Sequence, residues 1–279
     1  MRVDVAVITA AGLGTRMLPF SKEIPKEMLP VILRKGYVIY VVPALHYIFE
    51  SLYDVGIRRF VFVVGRGKRV IEDYFTPDWN FVEKLLKKGK EKEAKILEEH
   101  YRKVESSFIV MINQPQPKGF GDAVLRAKDL IFDEYFLVHA GDDIIYPNHS
   151  ENILYMLNHC SIHRPDALLL YEEVDEPWRY GVIVGEDKEE YIVVRNIVEK
   201  PRTPPGNRVV IAIYIFTQDI FRKLEETKPG SGEHQLTDAI NKLIDNRGVV
   251  HAIRVRGLRL DLGTPESYLK ALEVMVSNR

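Results

Sequence analysis

The densest chemistry in the sequence lies in the run Ala10-Ala11-Gly12-Leu13-Gly14-Thr15-Arg16-Met17-Leu18-Pro19. Glycines directly after a buried strand let backbone N–H groups come close to an anion. Positive charge follows at once, as Arg16, Lys22 and then Lys26 inside Pro25-Lys26-Glu27-Met28-Leu29-Pro30. Prolines on both sides of a lysine hold the segment extended and stiff, which suits a fixed charge beside a phosphate chain. A tight strand exit with surface cations is the plainer alternative. The loop is not a dinucleotide fingerprint, because Met17 stands where the third glycine belongs. It is not a Walker A loop either, since no Gly-Lys-Ser/Thr follows, and Gly65-Arg66-Gly67-Lys68 fails the same test at Arg69.

Carboxylates come next. Ala140-Gly141-Asp142-Asp143 follows the apolar run Tyr135 to His139. A carboxylate at the carboxyl end of a parallel strand faces the ligand crevice of an open α/β sheet. Magnesium takes one or two carboxylates and otherwise uses phosphate oxygens and water, which makes Asp142 a metal candidate. Asp143 has the alternative of capping a turn. Asp261, in Leu260-Asp261-Leu262-Gly263-Thr264-Pro265, reads by itself as a turn residue before a helix. Gln114, in Asn113-Gln114-Pro115-Gln116-Pro117-Lys118-Gly119-Phe120-Gly121-Asp122-Ala123, offers a donor and an acceptor, the pattern of the imide edge of uracil or thymine. A loop glutamine bonded only to backbone is the competing reading. Gly119 lets the backbone approach a nucleoside.

The glycine loop together with Ile24-Pro25-Lys26-Glu27-Met28-Leu29-Pro30 resembles the signature of sugar-1-phosphate nucleotidyltransferases, most closely those of the bacterial UTP–glucose-1-phosphate uridylyltransferase type. The resemblance runs from Val5 to about Ala271 with its motifs in order. It implies a nucleotide-binding loop at Ala11, Gly12, Gly14 and Thr15, with base contacts from Gln114 and Gly119. It also implies that Arg16 grips the leaving pyrophosphate and that Lys26 neutralises the reacting phosphates. Asp142 and Asp261 become ligands of one Mg2+. Val198-Glu199-Lys200-Pro201 matches the family's sugar-phosphate motif, so Glu199 accepts from ring hydroxyls and Lys200 binds the sugar's phosphate. Gly181, in the matching Tyr180-Gly181-Val182, presents a backbone N–H to a sugar hydroxyl. Gly232-Glu233-His234-Gln235-Leu236-Thr237-Asp238-Ala239-Ile240 is close to another family motif and implies a pocket wall or a subunit contact.

The implied reaction joins UTP to glucose 1-phosphate and releases pyrophosphate, with dTTP or a broader set of triphosphates as the alternative. The implied assembly is a homo-oligomer, a dimer or tetramer. Two departures bear on specificity. Asp122 replaces the family's histidine, and Ala212-Ile213 replaces glycine and arginine before Tyr214. Bulk at Ala212 narrows the sugar side. A glycosyltransferase has less use for Arg16 and Lys26, whose natural partner is a triphosphate tail. A non-catalytic nucleotide-sugar sensor would be free to lose the charged set Arg16, Lys26, Asp142, Lys200 and Asp261, all of which are present.

These residues need a scaffold. Val3 to Ala10, Phe60 to Val64, Phe108 to Ile112 and Tyr135 to His139 read as buried strands. Helical spacing covers Ile39 to Asp54, ending at Gly56, and a shorter helix covers Gly121 to Ile131. The charged segment Asn80 to Val104 reads as a solvated helical insertion broken near Gly89. Further strands fall at Ala167 to Glu172, Val182 to Val184, Ile192 to Val198, Val209 to Phe216 and Val249 to Val255. Helices cover Leu236 to Asn246 and a last stretch capped by Thr264, running to about Val276. This alternation predicts an α/β fold: a Rossmann-like mixed, mostly parallel sheet flanked by helices, with an inserted sugar-binding region. One domain spans 1–279, its nucleotide-binding part about 1–145 and its sugar-binding and C-terminal part about 146–279.

Composition agrees. The 279 residues are 46% hydrophobic with a net charge of −1, so nothing steers the whole molecule to nucleic acid or an acidic membrane. Any affinity for a polyanion must be local. Cys160 is the single cysteine, which excludes an intramolecular disulfide. His159 and His163 lie four apart but lack the glutamate of a zinc-protease helix. The N-terminus lacks the long apolar region of a signal peptide, and the expectation is a cytoplasmic protein.

Overall fold

The computed structural model describes residues 2–36, 38–227 and 232–277. A nine-stranded sheet forms the centre. Its strands are β1 (Val5–Ala10), β4 (Arg59–Gly65), β5 (Phe108–Gln114), β6 (Tyr135–Ala140), β8 (Ala167–Glu173), β9 (Gly181–Asp187), β10 (Ile192–Glu199), β11 (Arg208–Thr217) and β12 (Val250–Arg254). They lie in the order β5-β4-β1-β6-β11-β8-β12-β10-β9. The first four are parallel to one another, and β11 then enters antiparallel to β6. Parallel character is thus concentrated in the half that carries the glycine loop. The chain runs from β1 out through β4 to β5, then returns to place β6 on the other side of β1. That reversal is a topological switch point, where open α/β sheets bind ligands beyond the strand carboxyl ends.

Strand β1 is buried along its whole length because both faces of the sheet are covered. Ala6, Ile8 and Ala10 pack with Leu45, Ile48, Phe49 and Leu52 of α1 (Ala44–Asp54) and with Ile153 and Met156 of α6 (His149–His163). Val5 and Val7 point the other way, into a layer with α5 (Phe120–Leu125), α7 (Asp219–Glu226) and α8 (Leu236–Asp245). The expected helical insertion is α3 (Trp79–Lys87) and α4 (Glu91–Glu105), broken at Gly89 and joined by a small core of Val82, Ala94 and Tyr101. The last helix, α9 (Pro265–Ser277), starts at a true cap, for the Thr264 hydroxyl accepts from the Ser267 N–H at 3.2 Å.

Two expectations shift. The stretch before Ala44 is not helical. Val38–Pro43 forms β3, paired antiparallel with β2 (Pro30–Lys35) in a hairpin. The apparent helical spacing through Val41 was coincidental, since Val41 is 73% exposed and its β-branched neighbours suit a strand. The helix expected from Gly121 to Ile131 ends at Leu125, and a separate 3-10 turn covers Lys128–Leu130. The short antiparallel pair β7 (Asp143–Tyr146) and β13 (Leu258–Asp261), with the helices α2 (Arg69–Tyr74), α6 and α7, are elements beyond those expected. Among the described residues no helix is long and apolar enough to cross a membrane.

Candidate active site

The switch point carries a cavity of 490 Å³. Its wall includes the whole glycine loop from Ala11 to Arg16, with Lys26, Gln114, Gly119 and Asp142. Every residue expected on the nucleotide side except Asp261 lines this one space. Gly14 adopts φ +65, where side chains are strained, and its carbonyl accepts from the Ser21 hydroxyl at 2.6 Å. The loop's turn is therefore held from outside the cavity. Arg16 follows in a single 3-10 turn and has no ion-pair partner among the described residues. Its guanidinium lies beside Gly263, where an added Cβ would sit 2.9 Å from NH2 and 2.8 Å from Asp261 Oδ1. Arg16 and Asp261 thus flank the same backbone point, which brings Asp261 to the cavity's edge.

Lys26 forms an ion pair with Asp142. Only 16% of each side chain is exposed. Burial opposes charge on both, but each supplies the other's counter-ion. Asp142, Glu27 and Asp261 hold the Lys26 ammonium above the usual lysine range. Lys26, Arg259 and Lys68 likewise hold the Asp142 carboxyl below its usual range. Both are charged at neutral pH. Lys26 feels both Asp142 and Asp261, and the Leu262 N–H donates to the Asp142 carbonyl at 3.2 Å, so the two expected metal ligands sit at one corner. The Asp261 carboxylate is steadied by the Gly263 N–H at 2.8 Å.

The sugar-side residues gather in an adjoining cavity of 200 Å³, lined by Gly181, Glu199, Lys200, Ala212 and Thr237 among others. Phe120 borders both spaces, so a ligand can extend from one to the other. Gly181 pairs with Glu199 across β9 and β10, and the Thr237 hydroxyl donates to Glu199 Oε2 at 3.1 Å. Lys200 adopts φ 42 and its side chain is 60% exposed, 3.6 Å from Glu199. Ala212 faces this cavity as expected, whereas Ile213 is fully buried on the opposite face of β11. Ile213 therefore takes no part in the sugar side. A larger space of 820 Å³ borders Asp261, Tyr180 and Arg259 but contains none of the glycine loop. The chemistry is assigned to the smaller cavity because the elements expected to bind phosphate converge there.

Several supporting residues have no motif. Arg259 of β13 donates to Asp143 at 2.9 and 3.3 Å and to Glu172 at 3.0 Å. Asp143 is therefore no simple turn cap. Burial pushes its carboxyl up to about 6, against the pull of Arg259. Since Asp143 opposes Asp261 in the β7–β13 ladder, this clamp ties together the two segments that carry the candidate metal ligands. Lys68 donates to both oxygens of buried Glu27 at 3.1 and 2.9 Å, anchoring the Lys26 loop from the turn after β4. Under Asp142, the Ile145 N–H donates to His149 Nδ1, and the His149 and His139 Nε2 atoms meet at 3.0 Å. The chain then closes from His139 Nδ1 to the Ala140 carbonyl at 2.5 Å. Such a chain needs both rings neutral, and burial lowers both, His139 to about 4.

Gln114 differs from expectation. It is buried at the end of β5, and its Nε2 donates to Asp122 Oδ2 at 2.7 Å and to the Gly119 carbonyl at 3.2 Å. Its donor end is thus committed inside the protein. The 232–240 segment forms a wall: the His234 N–H donates to Lys118 and the His234 carbonyl accepts from Gly121. Gly119 has φ +107, and a Cβ there would lie 2.7 Å from His234 backbone atoms.

The profile of the nucleotidyl transferase family matches residues 5–277. A putative UTP–glucose-1-phosphate uridylyltransferase of Methanocaldococcus jannaschii is 35% identical over 95% of this chain and 90% of its own length. The UTP–glucose-1-phosphate uridylyltransferase of Bacillus subtilis is 37% identical over 94% and 87%. Among solved structures, a UDP-glucose pyrophosphorylase complexed with UDP-glucose superposes with a TM-score of 0.83 at 34% identity, covering 100% of both chains. A UTP-bound enzyme of the same kind from Acinetobacter baumannii gives 0.83 at 32% identity, covering 98% of this chain and 93% of that one. The chain is an enzyme and belongs to the nucleotidyl transferase family.

Proposed function

We propose that the chain transfers a uridylyl group from UTP to glucose 1-phosphate, forming UDP-glucose and pyrophosphate. The observation that carries the reading is the junction of two cavities at Phe120. One is lined by the glycine loop, Arg16, Lys26, Asp142 and Gln114, the other by Gly181, Glu199 and Lys200. A triphosphate and a sugar phosphate laid in them meet near the buried Lys26–Asp142 pair. The uridylyltransferase names and the UTP- and UDP-glucose-bound neighbours support the substrate pair.

The nucleophile, a sugar-phosphate oxygen, is already ionised near neutral pH, so no general base is needed. Attack in line on the α-phosphorus leaves alignment and charge neutralisation to the protein. Lys26 counters the charge gathering at the α-phosphate, and Arg16 stabilises the departing pyrophosphate. Lys200 and Glu199 orient the sugar phosphate. Asp142 and Asp261, which both act on the Lys26 ammonium, would be the residues to hold a magnesium ion. Among the described residues no group of three His, Cys, Asp or Glu is placed to hold a metal, and magnesium needs only one or two carboxylates, completing its shell from phosphate and water. Such an ion would supply positive charge that neutralises the reacting phosphates.

The test is pyrophosphate release over a grid of triphosphates and sugar 1-phosphates. UTP with glucose 1-phosphate is expected to give the highest kcat/KM, with dTTP a measurable second and ATP and GTP poor. Uracil and thymine differ by one methyl, worth only about 1–3 kcal/mol in a pocket. ATP matching UTP would refute the pyrimidine assignment.

A further inference from the structure

The amide of Gln114 has two N–H donors at one end and a single carbonyl at the other. Both donors are used, one by Asp122 Oδ2 at 2.7 Å and one by the Gly119 carbonyl at 3.2 Å. Each partner is an acceptor only. The opposite orientation would press Oε1 against a carboxylate and a carbonyl, so the partners themselves fix which end is which. Neither anchor is free to swing. Arg126 pairs with Asp122 one helical turn on, at 3.5 Å. Gly119 is locked by the backbone bonds of its neighbours Lys118 and Gly121 to His234. The Gln114 side chain is 4% exposed and lines the nucleotide cavity, and Oε1 is the one polar atom it has left for a ligand.

We propose that Asp122 is a positioning residue that sets base specificity, holding the Gln114 amide so that only its carbonyl oxygen meets the base. The proposal rests on the uridylyl reading above. A fixed acceptor matches the N3–H of uracil or thymine and opposes the N3 lone pair of cytosine. An amide free to rotate makes no such distinction, because it can turn its N–H toward cytosine N3. Asp122 thus separates the imide bases from cytosine, while the thymine methyl lies outside its reach.

The experiment measures kcat/KM for UTP, dTTP and CTP with glucose 1-phosphate in the wild type, Asp122→Asn and Asp122→Ala, and Kd for UDP and CDP in the same proteins. Asp122→Asn retains an acceptor oxygen and keeps the UTP:CTP ratio. Asp122→Ala leaves only the longer bond to the Gly119 carbonyl to hold the amide and lowers that ratio by about tenfold to a hundredfold, the worth of one hydrogen bond to a charged group. The UTP:dTTP ratio stays put in both. The UDP:CDP affinity ratio gives the same reading if turnover of the alanine variant is weak. A wild type that prefers UTP, with an alanine variant that keeps the full UTP:CTP ratio, overturns the role of Asp122 and leaves the uridylyl reading intact. A wild type without preference for UTP over CTP overturns both.

Discussion

The nucleotide and sugar sides are built on different principles. The nucleotide side sits at the carboxyl ends of parallel strands, and its buried polar groups are committed before any ligand arrives, while Arg16 stays exposed without an ion-pair partner among the described residues. Lys26 is paired with Asp142, Gln114 with Asp122, and Glu27 with Lys68. The sugar side is made from antiparallel strand ends, and its cation, Lys200, stands largely in solvent. Charges prepared in a buried site act on developing charge without reorganising. Solvent-exposed charges are screened and contribute less. The fixed side is suited to the chemistry and the open side to holding the acceptor.

The sharpest way to break that comparison is to neutralise the buried pair. Asp142→Asn is expected to lower kcat by about 10²- to 10³-fold, the scale of losing one preorganised electrostatic group. Chelation should abolish turnover and magnesium restore it. Full activity in excess chelator would remove the metal assignment.

Acid should loosen the nucleotide side. Burial lowers His139 from 6.5 to about 4, so the unfolded chain takes up a proton that the folded chain refuses between those values. The stability tied to a neutral His139 is present above pH 6.5 and is lost as pH falls toward 4, by at most about 3 kcal/mol for this ring. Hydrogen exchange as a function of pH is the measurement, with protection around Ala140 lost as pH falls from 6.5 toward 4. Protection unchanged over that range would remove the His139 ring from the support of this corner.

Arg16, the exposed cation of the nucleotide side, tests whether position at the leaving group outweighs burial. Arg16→Ala is expected to lower kcat by about 10²-fold, at the low end for a lost transition-state contact, with little change in sugar-phosphate KM. A shift confined to sugar-phosphate KM would misplace Arg16. Lys200→Ala should have the smallest effect, raising sugar-phosphate KM about tenfold or less, since an exposed charge is discounted by screening. A larger fall in kcat than from Arg16→Ala would reverse the comparison.

The contrast also explains what the sequence made legible. The glycine loop, Lys26 and Asp142 lie in short motifs at strand ends, so type and spacing mark them. Asp261 needed Asp142 as context. Arg259 joins Asp143 across 116 residues, and Lys68 joins Glu27 across 41, so no local pattern announces either pair. Asp122 was visible only as a departure, and the bonds it makes to Gln114 gave it a meaning. The parallel strands were readable because both faces are buried. The β2–β3 hairpin was not, because its exposed valines and isoleucine fell by chance at helical spacing.

The central claim is transfer of the α-phosphorus with expulsion of pyrophosphate. It is tested most directly with UTP labelled at the α-phosphate and glucose 1-phosphate as acceptor, separating the products after a single turnover. All of the transferred label is expected in UDP-glucose and none in pyrophosphate. Label left in free UDP or UMP, or UDP-glucose formed without pyrophosphate, would contradict it.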